Sequence, residues 1–177
     1  PKEAPLILAL GRFHENKGYD VLIRAMAKLP HVYLWLAGAG PLRGELVALA
    51  IREGVRPRIR FLGWHVDPTP LFRSADMLIC PSRHEPLGNV VIEGWAHDVP
   101  VISTQSDGPG ALIRHNRSGL LVPVDEPDAL AKTIKRLLMD PGLMRNIIQG
   151  GRERYEKNFT ESMVVDRYMK FFKKVAL

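Results

Sequence analysis

Arg12 and Lys17 stand at the two ends of the stretch Arg12-Phe13-His14-Glu15-Asn16-Lys17, itself closed by Gly11 and Gly18. A guanidinium can give a phosphate two parallel hydrogen bonds, and an ammonium adds a mobile point charge. A helix start behind them would contribute free amides, which also favour anions. The segment therefore reads as an anion clamp, or equally as a solvated turn with incidental charges. It is not a Walker loop, which needs Gly-Lys-Ser/Thr after a longer glycine-led run.

A second loop, Pro81 to Glu93, carries two carboxylates eight positions apart, Glu85 and Glu93. Between them, Leu87, Gly88, Asn89 and Val90 lead into a helix whose first amides suit a diphosphate. Two carboxylates beside a diphosphate would repel it unless each accepts hydrogen bonds from hydroxyl groups. A nucleoside diphosphate sugar offers hydroxyls at both ends, on the sugar and on the ribose. The competing reading is a helix with a dipole-stabilising acid in its first turns. Trp35, Trp64 and Trp95 read as packing residues, with Trp64 set apart because it follows Gly63 at a strand end and precedes His65.

Other chemistries find no support. The six histidines show no metal-ligand spacing, no Asp-x-Asp occurs, and no Gly-x-Ser-x-Gly elbow is present. The run Gly38-Ala39-Gly40-Pro41-Leu42-Arg43 fails the dinucleotide fingerprint because Arg43 stands where its third glycine belongs. A tight strand-to-helix turn is the expected role there.

These loops need elements to hold them. Short apolar runs at Leu6–Leu10, Val32–Ala37, Ile59–Leu62, Met77–Cys80, Val99–Ser103 and Leu120–Val122 lack polar alternation, as strands buried on both faces do. Helical spacing falls between them, at 21–29, 42–53, 70–74 and 90–96, and two or three helices close the chain over 127–139, 141 to about 157, and 161–175. Alternation of this kind predicts an α/β fold, a doubly wound, Rossmann-like parallel sheet of about six strands. Ligands bind such sheets at the carboxyl ends of the strands, where both candidate loops lie.

The chain has 177 residues, 46% of them hydrophobic and 25% charged, which suits one domain with a sizeable core. Lys+Arg 25 against Asp+Glu 19 gives a net charge of +6, dispersed as on a solvated surface and without a nucleic-acid-binding signature. Anionic small molecules or an anionic membrane surface are the partners it leaves. The single cysteine, Cys80, fits a reducing, cytoplasmic compartment, and no apolar run nears the length of a membrane span. A start at Pro1 followed almost at once by a strand reads as a piece of a longer protein.

Taken together, the motifs resemble the C-terminal, nucleotide-sugar-binding half of a GT-B glycosyltransferase, most similar to glycosyltransferase family 4. The series runs Gly-Arg-x-x-x-x-Lys-Gly at Gly11–Gly18, Ala-Gly-x-Gly-Pro-Leu at Ala37–Leu42 and Phe-Leu-Gly at Phe61–Gly63. Glu-x7-Glu at Glu85–Glu93, Val-Pro-Val-Ile at Val99–Ile102 and Gly-Leu-Leu-Val-Pro at Gly119–Pro123 complete it. The resemblance implies catalytic roles for Arg12 and Lys17 at the donor diphosphate and for Glu85 at the donor sugar. It implies ribose binding by Glu93, donor contact at Gly11, Leu87, Gly88, Asn89 and Val90, and a base edge at Gly63, Trp64 and His65. Retention of anomeric configuration, a UDP-, GDP- or ADP-sugar as donor and no required metal or other cofactor follow in the same way.

Two departures qualify the match: Pro86-Leu87 replaces the family's frequent Gly-Phe, and Ala111 stands where many members have Glu. The resemblance also implies an N-terminal acceptor domain of the same protein, with the helix in residues 160–177 crossing toward it through Met163, Val164, Tyr168, Phe171 and Phe172. That helix could instead pack on its own domain. Work on a glycan or lipid at the cytoplasmic membrane face, with peripheral membrane association, is the default expectation. A non-catalytic nucleotide-binding regulatory or docking module of the same shape is the alternative.

Overall fold

In the computed structural model, which describes residues 3–175, six parallel strands form one sheet. They are β1 (Leu6–Leu10), β2 (Tyr33–Ala37), β3 (Ile59–Gly63), β4 (Met77–Cys80), β5 (Val101–Thr104) and β6 (Leu120–Val122), in the spatial order β3-β2-β1-β4-β5-β6. That is the doubly wound order, whose direction reverses between β1 and β4. The helices are α1 (Tyr19–Met26), α2 (Arg43–Arg52), α3 (Thr69–Ser74), α4 (Asn89–Ala96), α5 (Asp107–Leu112), α6 (Pro127–Met139), α7 (Pro141–Asn158) and α8 (Glu161–Val175).

Strand side chains divide between two cores by simple alternation. Ile7 and Ala9 of β1, with Met77 and Ile79 of β4, join Leu22, Met26, Leu49, Ile134 and Leu137 on one face. Leu8, Leu78 and Cys80 join Phe72, Val91 and Trp95 on the other. With helices on both sides, the central strands have no wet face, which is why their sequences carry no polar alternation.

Three boundaries differ from the sequence expectation. β5 begins at Val101 because the Val99 amide is still bound to the Gly94 carbonyl at 2.9 Å, closing the turn after α4, and Pro100 has no amide to give. α1 runs from Tyr19 to Met26, and the stretch to Leu29 tightens into i→i+3 turns, with the Leu29 amide on Met26 O at 3.1 Å. α5 falls inside a segment expected to be a loop.

α8 buries no residue, and Tyr168, Phe171 and Phe172 are each more than half exposed. Met163 and Val164, on the same stripe, are half-buried, and Arg167 donates to Asn158 of α7. α8 touches α7 alone among the helices with substantial contact.

Candidate functional site

The β1–α1 and β4–α4 loops flank the switch between β1 and β4, and several backbone contacts fix them against each other. Asn16 O accepts from the amides of Arg83 (2.7 Å) and His84 (3.3 Å). Gly18 caps α1 at φ 60°, and a Cβ there would stand 2.1 Å from Pro81 O, so only glycine permits the approach. Arg83 adds a bidentate pair to Asp20 at 2.9 and 2.8 Å and a contact to Asp125 at 2.6 Å. Burial works to raise the Asp20 carboxyl, but the Arg83 hydrogen bonds and charge outweigh it and hold the carboxyl below its ordinary value.

From these two loops, Lys17 Nζ and Glu85 Oε2 meet at 2.5 Å, with side chains 28% and 12% exposed. They line a cavity of about 520 Å³ together with Gly11, Trp64, His65, Asn89, Val90 and Glu93. This is the size of a small-molecule or cofactor site. Eight of the twelve residues singled out from sequence thus share one concavity. Trp64 is 75% exposed, a large aromatic face without a packing partner in the core.

The other four lie apart from the lining. Arg12 is exposed and makes no side-chain hydrogen bond or ion pair among the described residues. Gly63, at φ 77°, ends β3 beneath Trp64, and its carbonyl accepts from the Gly38 amide at 2.6 Å. Leu87 is 53% exposed. Gly88 is buried at φ 86° as the N-cap of α4, which starts the helix so that Asn89, Val90 and Glu93 reach the cavity.

Sequence reasoning missed the supports. Gly38 and Gly40 are strand-to-helix turn residues, as expected, but their lack of side chains is required by the first loop. A Cβ on Gly38 would stand 1.9 Å from Gly11 O, and one on Gly40 2.4 Å from Phe13 O. Gly108 of α5 donates its amide to Glu85 O at 2.8 Å and holds that loop from the other side. Beneath Gly11 lies the Tyr19 hydroxyl, buried and without a hydrogen-bond partner among the described residues. Burial, followed by the nearby Cys80 and Glu85, pushes this phenol far above its ordinary value, so it stays protonated.

Among the described residues, no three His, Cys, Asp or Glu side chains gather closely enough to hold a metal ion. What the cavity holds is an ammonium, two carboxylates, helix-start amides and an exposed indole. That set can bind an anion beside a polyhydroxylated group and an aromatic base.

The family model for group 1 glycosyl transferases matches residues 4–140. The chain belongs to that family. A lipopolysaccharide core biosynthesis glycosyltransferase, LpsE, from Rhizobium meliloti is 40% identical over 169 residues, covering 96% of this chain and 50% of the relative. A glycosyltransferase from Rickettsia africae superposes with a TM-score of 0.92 at 26% identity, covering 99% of this chain and 49% of that one. The C-terminal domain of the group 1 glycosyl transferase LpcC from Francisella tularensis superposes with a TM-score of 0.79 at 23% identity, over 89% and 87% of the two chains. This group 1 chain therefore has the fold of the C-terminal half of a GT-B glycosyltransferase, and it spans about half the length of the curated relatives it matches.

Proposed function

We propose that this chain is the donor-binding half of a retaining glycosyltransferase, which moves a hexose-type sugar from a nucleoside diphosphate sugar to a glycan or lipid-linked acceptor. The observation that carries the reading is the Lys17–Glu85 pair at the wall of the 520 Å³ cavity. An ammonium has three donors, so Lys17 can keep Glu85 and still give two hydrogen bonds to a diphosphate. Glu85, held in place by that bond, keeps lone pairs for sugar hydroxyls. Glu93, one helical turn into α4, accepts from the ribose, and Trp64 with His65 offers the base an edge to lie against.

Catalysis in this half is electrostatic. As the glycosidic bond breaks, negative charge grows on the leaving diphosphate, and Lys17, Arg12 and the first amides of α4 stabilise it. Arg12 is exposed and, among the described residues, has no partner to leave, so its side chain is free to swing onto the phosphate when donor arrives. No metal is required in this scheme, because cations of the protein meet the charge. The acceptor is carried by an N-terminal domain of the whole protein. The name of the Rhizobium relative makes a lipopolysaccharide core oligosaccharide the first acceptor to try, at the cytoplasmic face of the membrane with peripheral association. No helix among the described residues is long and apolar enough to cross a membrane.

Calorimetry with UDP-, GDP- and ADP-sugars tests the reading on this chain. One donor should bind saturably, and both Lys17→Ala and Arg12→Ala should weaken it about tenfold or more. No binding across the panel, or binding indifferent to both changes, would sink it. Binding of the bare nucleotide with no gain from any sugar would favour the regulatory or docking module.

A further inference from the structure

The opposite end of the sheet carries a separate concentration of charge, and it is unpaired. The segment that enters β6 lies at the amino ends of the strands, away from the cavity at their carboxyl ends. There Arg114 and Arg117 face Arg154 and Lys157 of α7 around a separate cavity of about 300 Å³. Among the described residues, none of the four cations makes an ion pair. The one carboxylate on the cavity, Glu153, accepts instead from Gln149 at 2.9 Å. Arg154 is the distinctive member: its Nε is buried and has no hydrogen-bond partner among the described residues. A buried donor left without an acceptor is costly, and native structures rarely leave one without cause.

The loop that presents Arg114 and Arg117 is rigidly built. The Arg114 amide donates to Ser118 Oγ at 2.9 Å, and the Arg117 and Ser118 amides both return to Arg114 O at 2.9 Å. Trp95 Nε1 donates to Ser118 O at 2.7 Å from inside the core. Gly150 lets α7 close on this loop, since a Cβ there would stand 2.1 Å from Arg117 O. Like charges are thus held together by the backbone rather than dispersed by it. Burial and the neighbouring Arg114 charge both depress the Arg154 guanidinium below its ordinary value.

We infer that this pocket is a binding site for a phosphate group, with Arg114, Arg117, Arg154 and Lys157 closing around the anion. It is distinct from the proposed donor site in elements, in end of the sheet and in residues. The ligand is a phosphate monoester or diester, from either a soluble phosphorylated compound or a phospholipid headgroup.

The test is an amide and arginine-Nε NMR titration of the labelled chain with inorganic phosphate, compared with sodium chloride at equal ionic strength. Saturable shifts are expected at Ser118, Gly119 and the Arg154 Nε–H. Arg114→Gln and Arg154→Gln should each weaken the response at Ser118 and Gly119 about tenfold or more. Any response at Gly11–Gly18, which belongs to the proposed donor site, should survive both changes. The site is disproved if chloride produces the same shifts, if Ser118 and Gly119 stay still, or if neither substitution alters their titration. Arg114 is exposed, so Arg114→Gln answers the question even if Arg154→Gln unfolds the chain. Sedimentation with phosphatidylglycerol against phosphatidylcholine vesicles then separates the sources. Binding to the anionic vesicles that is lost in Arg114→Gln assigns a headgroup, and phosphate binding without vesicle binding assigns a soluble ligand.

Discussion

Lys17 Nζ and Glu85 Oε2 stand 2.5 Å apart although 68 positions separate them in the chain. The contact joins the loops of β1 and β4, the two strands between which the sheet reverses its order, so one ion pair spans the crevice where such folds bind ligands. A double-mutant cycle on Lys17→Ala and Glu85→Gln should give a coupling of about 1–2 kcal/mol in urea unfolding, since the pair is mostly shielded from water. In donor binding the two single changes should each cost about tenfold or more. A coupling near zero would mean that the pair is incidental.

Gly18→Ala should be far more damaging than Gly54→Ala, although both residues have positive φ. A Cβ at Gly18 meets Pro81 O at 2.1 Å, whereas nothing lies within 4 Å of one at Gly54. The first change should cost about 3 kcal/mol or more, and the second about 1 kcal/mol, the strain of the left-handed conformation alone. Equal midpoints in urea would contradict the packing of the two loops.

The Arg83–Asp20 pair predicts a sign for the acid limb of stability. Asp20 has a folded pKa below its unfolded value, so its contribution is present above about pH 4 and is lost as pH falls through the lowered folded value. Arg83→Gln should therefore reduce stability at pH 7 by about 1 kcal/mol, a modest figure because Asp20 is partly solvated. The gap between variant and parent should close as the pH drops below about 3. A gap that stays constant to low pH would show that Arg83 acts through packing rather than charge.

Trp64→Ala separates binding from folding. The indole is 75% exposed, so its loss should change unfolding free energy by less than about 0.5 kcal/mol. If the donor's base stacks on it, affinity for the nucleotide should fall about tenfold, the lower range for one aromatic–base contact. Unchanged affinity would move the base elsewhere along the cavity.

Much of this was legible from residue order because buried parallel strands and glycine-closed loops leave direct traces. All six strands fall within two residues of their apolar runs. The eight lining residues were found because catalytic types were confined to the loops after strands. What escaped was tertiary in origin. The α5 sequence Asp-Gly-Pro-Gly-Ala-Leu has almost no helix propensity, and it is helical because Gly108 is pinned to Glu85 O and Leu112 is buried in the core. Tyr19 reads as an ordinary helix-start aromatic, and nothing local announces that its hydroxyl ends up beneath Gly11 without a partner. Arg12, by contrast, reads from the sequence as an anion ligand but stands outside the cavity wall, since a side chain's direction from a loop is not written in its spacing.

The relation between Gly11 and Tyr19 has a consequence for how this sequence can drift. A Cβ on residue 11 would lie 2.8 Å from the Tyr19 hydroxyl oxygen, so the two positions draw on a single small volume. Shortening Tyr19 to Phe would clear that volume, yet residue 11 would stay confined to glycine, because its φ of 144° disfavours any side chain. Residue 19 is therefore free to lose its hydroxyl in a lineage where residue 11 stands still.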